Sequence, residues 1–191
     1  MNAFKEACKV EDRSWAILKH FIAAHSMEGR FVTTNKGRLA RQLQKTIGDV
    51  LANNKKNEII AIELKTEESN KYGNLFIETW SNKSRFTLGW IYTLSTDVIM
   101  YHFLLEDELY LISFERLRNW LFSNDNNHPN IDKYPELKQA KYDQLNDTWG
   151  RCIPIKDLMD NVGVTLHRPE KYVLEETRRG WLSSQPGSGG G

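Results

Sequence analysis

Residues 47–65 read Ile47-Gly-Asp-Val-Leu-Ala-Asn-Asn-Lys-Lys-Asn-Glu-Ile-Ile-Ala-Ile-Glu-Leu-Lys65. Two β-rich runs, Ile47 to Ala52 and Glu58 to Thr66, flank the turn-forming cluster Asn53 to Asn57. Side chains alternate faces along a strand, so Ile60, Ile62 and Leu64 share one side while Ile59, Ala61, Glu63 and Lys65 share the other. Four apolar residues in a row before Glu63 indicate a central strand covered on both faces. A carboxylate and an ammonium at the end of such a strand are partly desolvated unless used or paired. If the two runs pair antiparallel around the turn, Asp49, the one charge of the first run, lies about as far from the turn as Glu63. The two carboxylates then meet across the ladder. Adjacent carboxylates repel and invite a hard divalent cation, with Mg2+ the usual choice where carboxylates, waters and phosphate oxygens are the ligands.

Outward from this stretch, Asp12 to His25 repeats Trp15, Leu18, Phe21, Ile22 and His25 at helical spacing, with Asp12 as N-cap. Thr34 to Lys45 reads as helix or extended loop, since Leu39 and Leu43 lie four apart but Gly37 and several basic residues surround them. Asn74 to Trp80 reads as a third strand of a meander with the first two. Asp97 to Leu105 and Glu108 to Ile112 read as two more strands around Glu106-Asp107-Glu108, and Phe114 to Phe122 as a helix with Leu117, Trp120 and Leu121 on one face. Asp125 to Pro135 reads as a polar loop. Trp149 to Ile155 reads as a late strand leading into a short helix from Pro154 to Val162, and Thr165 to Leu182 is charged and poorly patterned. The order predicts an α+β (mixed α/β) fold, a central mixed sheet of four to five strands flanked by helices.

The 191 residues, 40% hydrophobic and 27% charged, suit a single globular domain over 1–182 without disulfide staples. Residues 183–191, ending Gln185-Pro-Gly-Ser-Gly-Gly-Gly191, read as a flexible linker or tag remnant. Apolar runs are far shorter than a membrane span, the N-terminus lacks a signal-peptide pattern, and only Cys8 and Cys152 are present. The expectation is a protein of a reducing cytoplasm without membrane attachment. Net charge is +1, but it is unevenly spread. Arg30 to Lys56 carries seven basic residues and one acid, whereas 97–147 carries ten acids and five bases. Such a split can steer a polyanion to one side; on charge alone a solvated face is the simpler account. The five histidines show no zinc-ligand spacing with either cysteine, and no Gly-rich phosphate loop or Ser or Cys nucleophile pattern occurs. Trp90, between Gly89 and Ile91, reads as a core anchor or as a stacking platform for a base or sugar.

Gly48-Asp49, thirteen residues, then Glu63-Leu-Lys65 at the end of an apolar strand, with an amphipathic helix upstream, resembles the PD-(D/E)XK nuclease superfamily. This is the restriction-endonuclease-like fold that includes Holliday junction resolvases and many phage and bacterial DNA endonucleases. Further likeness lies in Gly73-Asn74 and Glu78, then Gly89-Trp90-Ile91, then Thr96-Asp97 before the aromatic run Ile99 to Phe103, so that the core of the likeness spans 11–122, with 123–182 as an extension. The resemblance implies a metal-dependent DNA endonuclease using Mg2+, with Mn2+ able to substitute, in a bacterial or phage-infected cell. It implies Asp49 and Glu63 as metal ligands and Lys65 as the residue that orients or helps deprotonate the attacking water and stabilises charge on the phosphate. The residue before Asp49 is Gly48 where the pattern has Pro. For the helical acid of many members, Glu11 is the candidate. Glu78 either completes the acidic pocket or makes a structural ion pair. The basic segment, Lys36, Arg38, Arg41 and Lys45, would contact DNA phosphates. Cutting both strands of a duplex calls for a homodimer, and the acidic stretch 97–147 offers a surface for a protein partner. The competing expectation is a catalytically silent nuclease fold serving as a DNA- or protein-binding accessory factor.

Overall fold

A strand that is apolar on both sides has to lie inside a sheet covered on both faces. In the computed structural model, which describes residues 3–25, 28–31, 37–54, 56–125, 128–139 and 147–171, strand β3 does so. The elements in order are α1 (Ala3–Ala24), β1 (Glu28–Phe31), α2 (Arg38–Ile47), β2 (Val50–Asn53), β3 (Ile59–Glu67), β4 (Asn74–Asn82), β5 (Thr87–Leu88), α3 (Trp90–Thr93), β6 (Val98–Phe103) and β7 (Glu108–Ser113). They continue with α4 (Phe114–Phe122), β8 (Asn124–Asp125), β9 (His128–Pro129), β10 (Glu136–Lys138), β11 (Trp149–Pro154), α5 (Ile155–Val162) and β12 (Thr165–His167). The class is α+β around a central mixed sheet.

That sheet has six strands in the order β1-β2-β3-β6-β7-β12, antiparallel except for the parallel pair β3 and β6. The expected four to five strands fall short because the edges β1 and β12 are short and lie in weakly patterned sequence; backbone pairing to β2 and β7 makes them strands. Strand β4 is not the third strand of a meander. It joins a second sheet, β10-β11-β4-β5, where its main partner β11 pairs with it across separations of 69 to 80 residues. The antiparallel meander is instead β1-β2-β3.

Alternation distributes β3 and β6 between two cores. Ile62, Leu64 and Met100 point to one side, where they bury Leu18, Phe21 and Ile22 of α1. Ile99, Tyr101 and Phe103 point to the other, against Leu75 and Ile77 of β4, Leu117 and Leu121 of α4, and Ile153, Leu158 and Val162. The stretch after residue 122 thus contributes directly to the larger core. Fully burying each such aliphatic side chain is worth roughly 1.5–3 kcal/mol.

Two local readings change. Helix α1 begins at Ala3, so Asp12 is exposed in mid-helix and caps nothing. The run Ala3 to Glu11 holds good helix formers and no breaker, so the helix propagates through Asp12. Within 125–135, a 3-10 turn over Asn130–Lys133 buries Asn130 and Ile131. Asn130 Nδ2 donates to the Trp120 carbonyl at 2.9 Å and to Ser123 Oγ at 2.8 Å, which ties this stretch to the C-terminus of α4.

Candidate functional site

Helix α2 delivers the chain to Gly48, whose φ of 116° lies outside the range of L side chains. A Cβ there would stand 2.7 Å from the Ile62 carbonyl oxygen. Proline, fixed near −65°, cannot take this conformation, which accounts for glycine before Asp49. The Asp49 amide then donates to the Ile62 carbonyl at 2.9 Å. Because Val50 pairs with Ile62, the next positions outward are Asp49 and Glu63, as the antiparallel reading requires.

Asp49 and Glu63 are 8% and 6% exposed. Asp49 is held at both oxygens: Leu64 N donates to Oδ2 and Gln44 Nε2 of α2 donates to Oδ1, each at 3.0 Å. Glu63 Oε1 accepts from Lys65 Nζ at 2.6 Å. Its other oxygen, Oε2, is buried without a hydrogen-bond donor, and the group beside it is the Asp49 carboxylate, itself an acceptor. Burial pushes the Glu63 pKa up to about 7; Lys65 pulls against this and Asp49 adds to it. Lys65 is opposite in sign. Burial disfavours its ammonium, yet Glu63, then Asp49 and Glu78, outweigh that and hold its pKa above the ordinary lysine value. Lys65 is therefore a fixed positive charge.

Glu78 of β4 is half-buried and reaches the same region. Burial raises its pKa, opposed by Lys65 and by the Trp90 backbone N–H. Gly89 makes this approach possible: its amide donates to the Thr79 carbonyl at 2.8 Å, and a Cβ would lie 2.3 Å from the Glu78 carbonyl oxygen. Trp90 follows at 7% exposure, its ring centroid 5.7 Å from Lys65 Nζ. Trp90 is thus a core residue walling Lys65, with no free face for a base.

The structure brings together Asp49, Glu63, Lys65 and, through Lys65, Glu78. It does not bring in Glu11, which is exposed on α1. Among the described residues no group of three or more His, Cys, Asp or Glu side chains is arranged around a metal position, so Glu11 does not join the carboxylate pair. The α1 residues that do meet β3 are apolar apart from Ser14, which explains why an acid one turn earlier stays in solvent. Arg38, Arg41 and Lys45 are exposed on α2, and no carboxylate among the described residues pairs with them. Lys36 lies outside the described residues. Gln44 and Trp90 are the contacts that sequence alone does not assign. A glutamine five residues before Asp49 carries no signal until α2 is known to be a helix ending at Ile47.

The donor set fits a hard cation. Mg2+ uses one or two carboxylates and keeps several waters, and a donor-less carboxylate oxygen facing a second carboxylate is what such an ion neutralises. Comparison of the chain with protein-family models, with curated proteins and with solved structures gives no match.

Proposed function

We propose that the chain is a metal-dependent endonuclease that hydrolyses phosphodiester bonds in DNA. The observation that carries this reading is the buried Asp49 and Glu63 pair, with Glu63 Oε2 lacking a donor and Lys65 fixed beside it. An unsatisfied buried acceptor costs about 1–3 kcal/mol, a cost that a cation bound between the two carboxylates would remove.

Asp49 and Glu63 would hold Mg2+, or Mn2+ in its place. Bound there, the ion supplies Lewis acidity, lowering the pKa of water and neutralising charge on the phosphate. Gln44 and the Leu64 amide orient Asp49, so its carboxylate is preorganised before any substrate arrives. Lys65, whose pKa is held above the ordinary lysine value by Glu63, Asp49 and Glu78, would stabilise negative charge developing on the phosphate and orient the attacking water. Glu78 helps to keep it charged. Arg38, Arg41 and Lys45 give α2 a cationic outer face leading toward Asp49, suited to a phosphate backbone. A homodimer with two such sites would cut both strands of a duplex.

The test is cleavage of supercoiled, linear, single-stranded and four-way-junction DNA with Mg2+, Mn2+ or EDTA. Metal-dependent cutting is expected, with Lys65→Ala lowering the rate roughly hundredfold or more and Glu63→Ala abolishing it while the fold persists. No cutting with any metal, together with no calorimetric Mg2+ or Mn2+ binding that depends on Asp49 and Glu63, would overturn the reading and leave a silent accessory fold.

A further inference from the structure

We propose that the groove between α4 and the Ser95-Thr96 segment binds an unpaired nucleobase next to the bond being cut. The inference rests on the nuclease reading and names a substrate class for it, DNA with a single-stranded nucleotide beside the scissile phosphate.

Position comes first. Thr96 Oγ1 donates to the Ala61 carbonyl at 2.9 Å, and Ala61 precedes Glu63 by two residues on the same face of β3, roughly 7 Å along the strand. The Ser95 amide donates to the Thr46 carbonyl at 2.6 Å, in the last turn of α2 before Asp49. The groove wall is therefore tied to β3, which carries Glu63, and to the end of α2, which leads into Asp49. A nucleotide held at Asp49 and Glu63 has its neighbour within reach of this groove.

The lining then selects the ligand. The groove is open and encloses about 850 Å3, ample for a base. Arg118 lies over the Phe114 ring, its guanidinium carbon 5.7 Å from the centroid, and among the described residues it has no carboxylate partner. Phe122 is half-buried with its ring 5.5 Å from that of Tyr92, the two tilted at 36°. Asn119 is exposed and offers both a donor and an acceptor. Glu115 sets one negative charge in the same lining as Arg118, so the groove is near neutral and ill-suited to a bare phosphate. A planar guanidinium, an aromatic edge and a neutral amide suit a base, which has π-faces and hydrogen-bonding edges. A base inside a duplex has both faces covered by stacking, so only an unpaired one can lie here.

The test measures binding of a fluorescein-labelled single strand and of its duplex, with Ca2+ as the cation, to the unaltered chain, Arg118→Ala and Phe122→Leu. Thermal unfolding confirms that each variant folds, and cutting of a plasmid and of the labelled single strand with Mg2+ runs alongside. Both substitutions are expected to weaken single-strand binding about tenfold while duplex binding stays within twofold of the unaltered chain. Unchanged single-strand affinity, an equal loss for the duplex, or no binding of either DNA overturns the proposal. Failure of the nuclease reading appears separately, as absent Mg2+-dependent cutting of both the plasmid and the labelled single strand by the unaltered chain, and the strand comparison still decides the groove.

Discussion

Glu63 carries a conflict that the fold does not resolve by itself. Its carboxyl is buried against another carboxylate, and its pKa rises to about 7 from an unfolded value near 4.5. The folded state therefore binds the proton more tightly than the unfolded state. The resulting stabilisation is complete below the unfolded pKa and is lost as pH rises through about 7. Over that window the metal-free protein forfeits up to about 3 kcal/mol. Glu63→Gln removes the charge while keeping the shape, so it is expected to raise the melting temperature at pH 8 more than at pH 5. Adding Mg2+ at pH 8 is expected to stabilise the unaltered chain and leave Glu63→Gln unmoved. Differential scanning calorimetry at two pH values, with and without Mg2+, checks both. A variant no more stable than the parent at pH 8 would show that Lys65 alone already settles the carboxylate.

At the scale of elements, the site depends on how tightly β2 meets β3. Gly48 combines a positive φ with a Cβ position 2.7 Å from the Ile62 carbonyl oxygen. Gly48→Ala should therefore cost about 2 kcal/mol or more, through both strain and displacement of backbone. Urea denaturation measures that loss, and metal binding should weaken further than stability alone explains, because Asp49 moves with the strand. A loss under 0.5 kcal/mol would mean that β2 shifts freely. The pairing of β2 with β3 was legible in the sequence because its determinants are local: an alternating strand, a turn cluster of five residues and one acid at matching distance on each side. The same is true of α4, whose bounds Phe114 and Phe122 agree with its apolar spacing. The separation of β4 from that sheet was not legible. Asn74 to Trp80 alternates like any half-covered strand, and what removes it is pairing with Trp149 to Pro154, a long-range choice that alternation does not encode. Likewise Glu11 satisfies the expected helix spacing, but only the docking angle of α1 decides whether an acid there meets the sheet, and it does not.

Across the whole molecule, one buried histidine links parts of the chain that sequence keeps far apart. His102 of β6 is fully buried; its Nδ1 lies 2.6 Å from Ser14 Oγ of α1, which in turn accepts from Thr66 Oγ1 of β3 at 3.1 Å. Its Nε2 has no hydrogen-bond partner, with Asp107 Oδ1 3.7 Å away, and Asp107 accepts from the Glu170 and Lys171 amides. Burial, the largest influence, lowers the His102 pKa against the pull of Asp107. The fold therefore favours neutral imidazole, whose stabilisation is complete above the unfolded pKa near 6.5 and is lost as pH falls below it. This acts in the opposite direction to Glu63, which gains stability over much of the same range. The two oppose each other in the unaltered chain, which softens its dependence on pH between 7.5 and 5.5. Glu63→Gln removes one side of this opposition, so its stability should fall more steeply as pH is lowered than that of the unaltered chain. Guanidinium unfolding of both proteins at pH 7.5, 6.5 and 5.5 reads the difference, and parallel profiles would show that folding leaves the proton affinity of Glu63 unchanged.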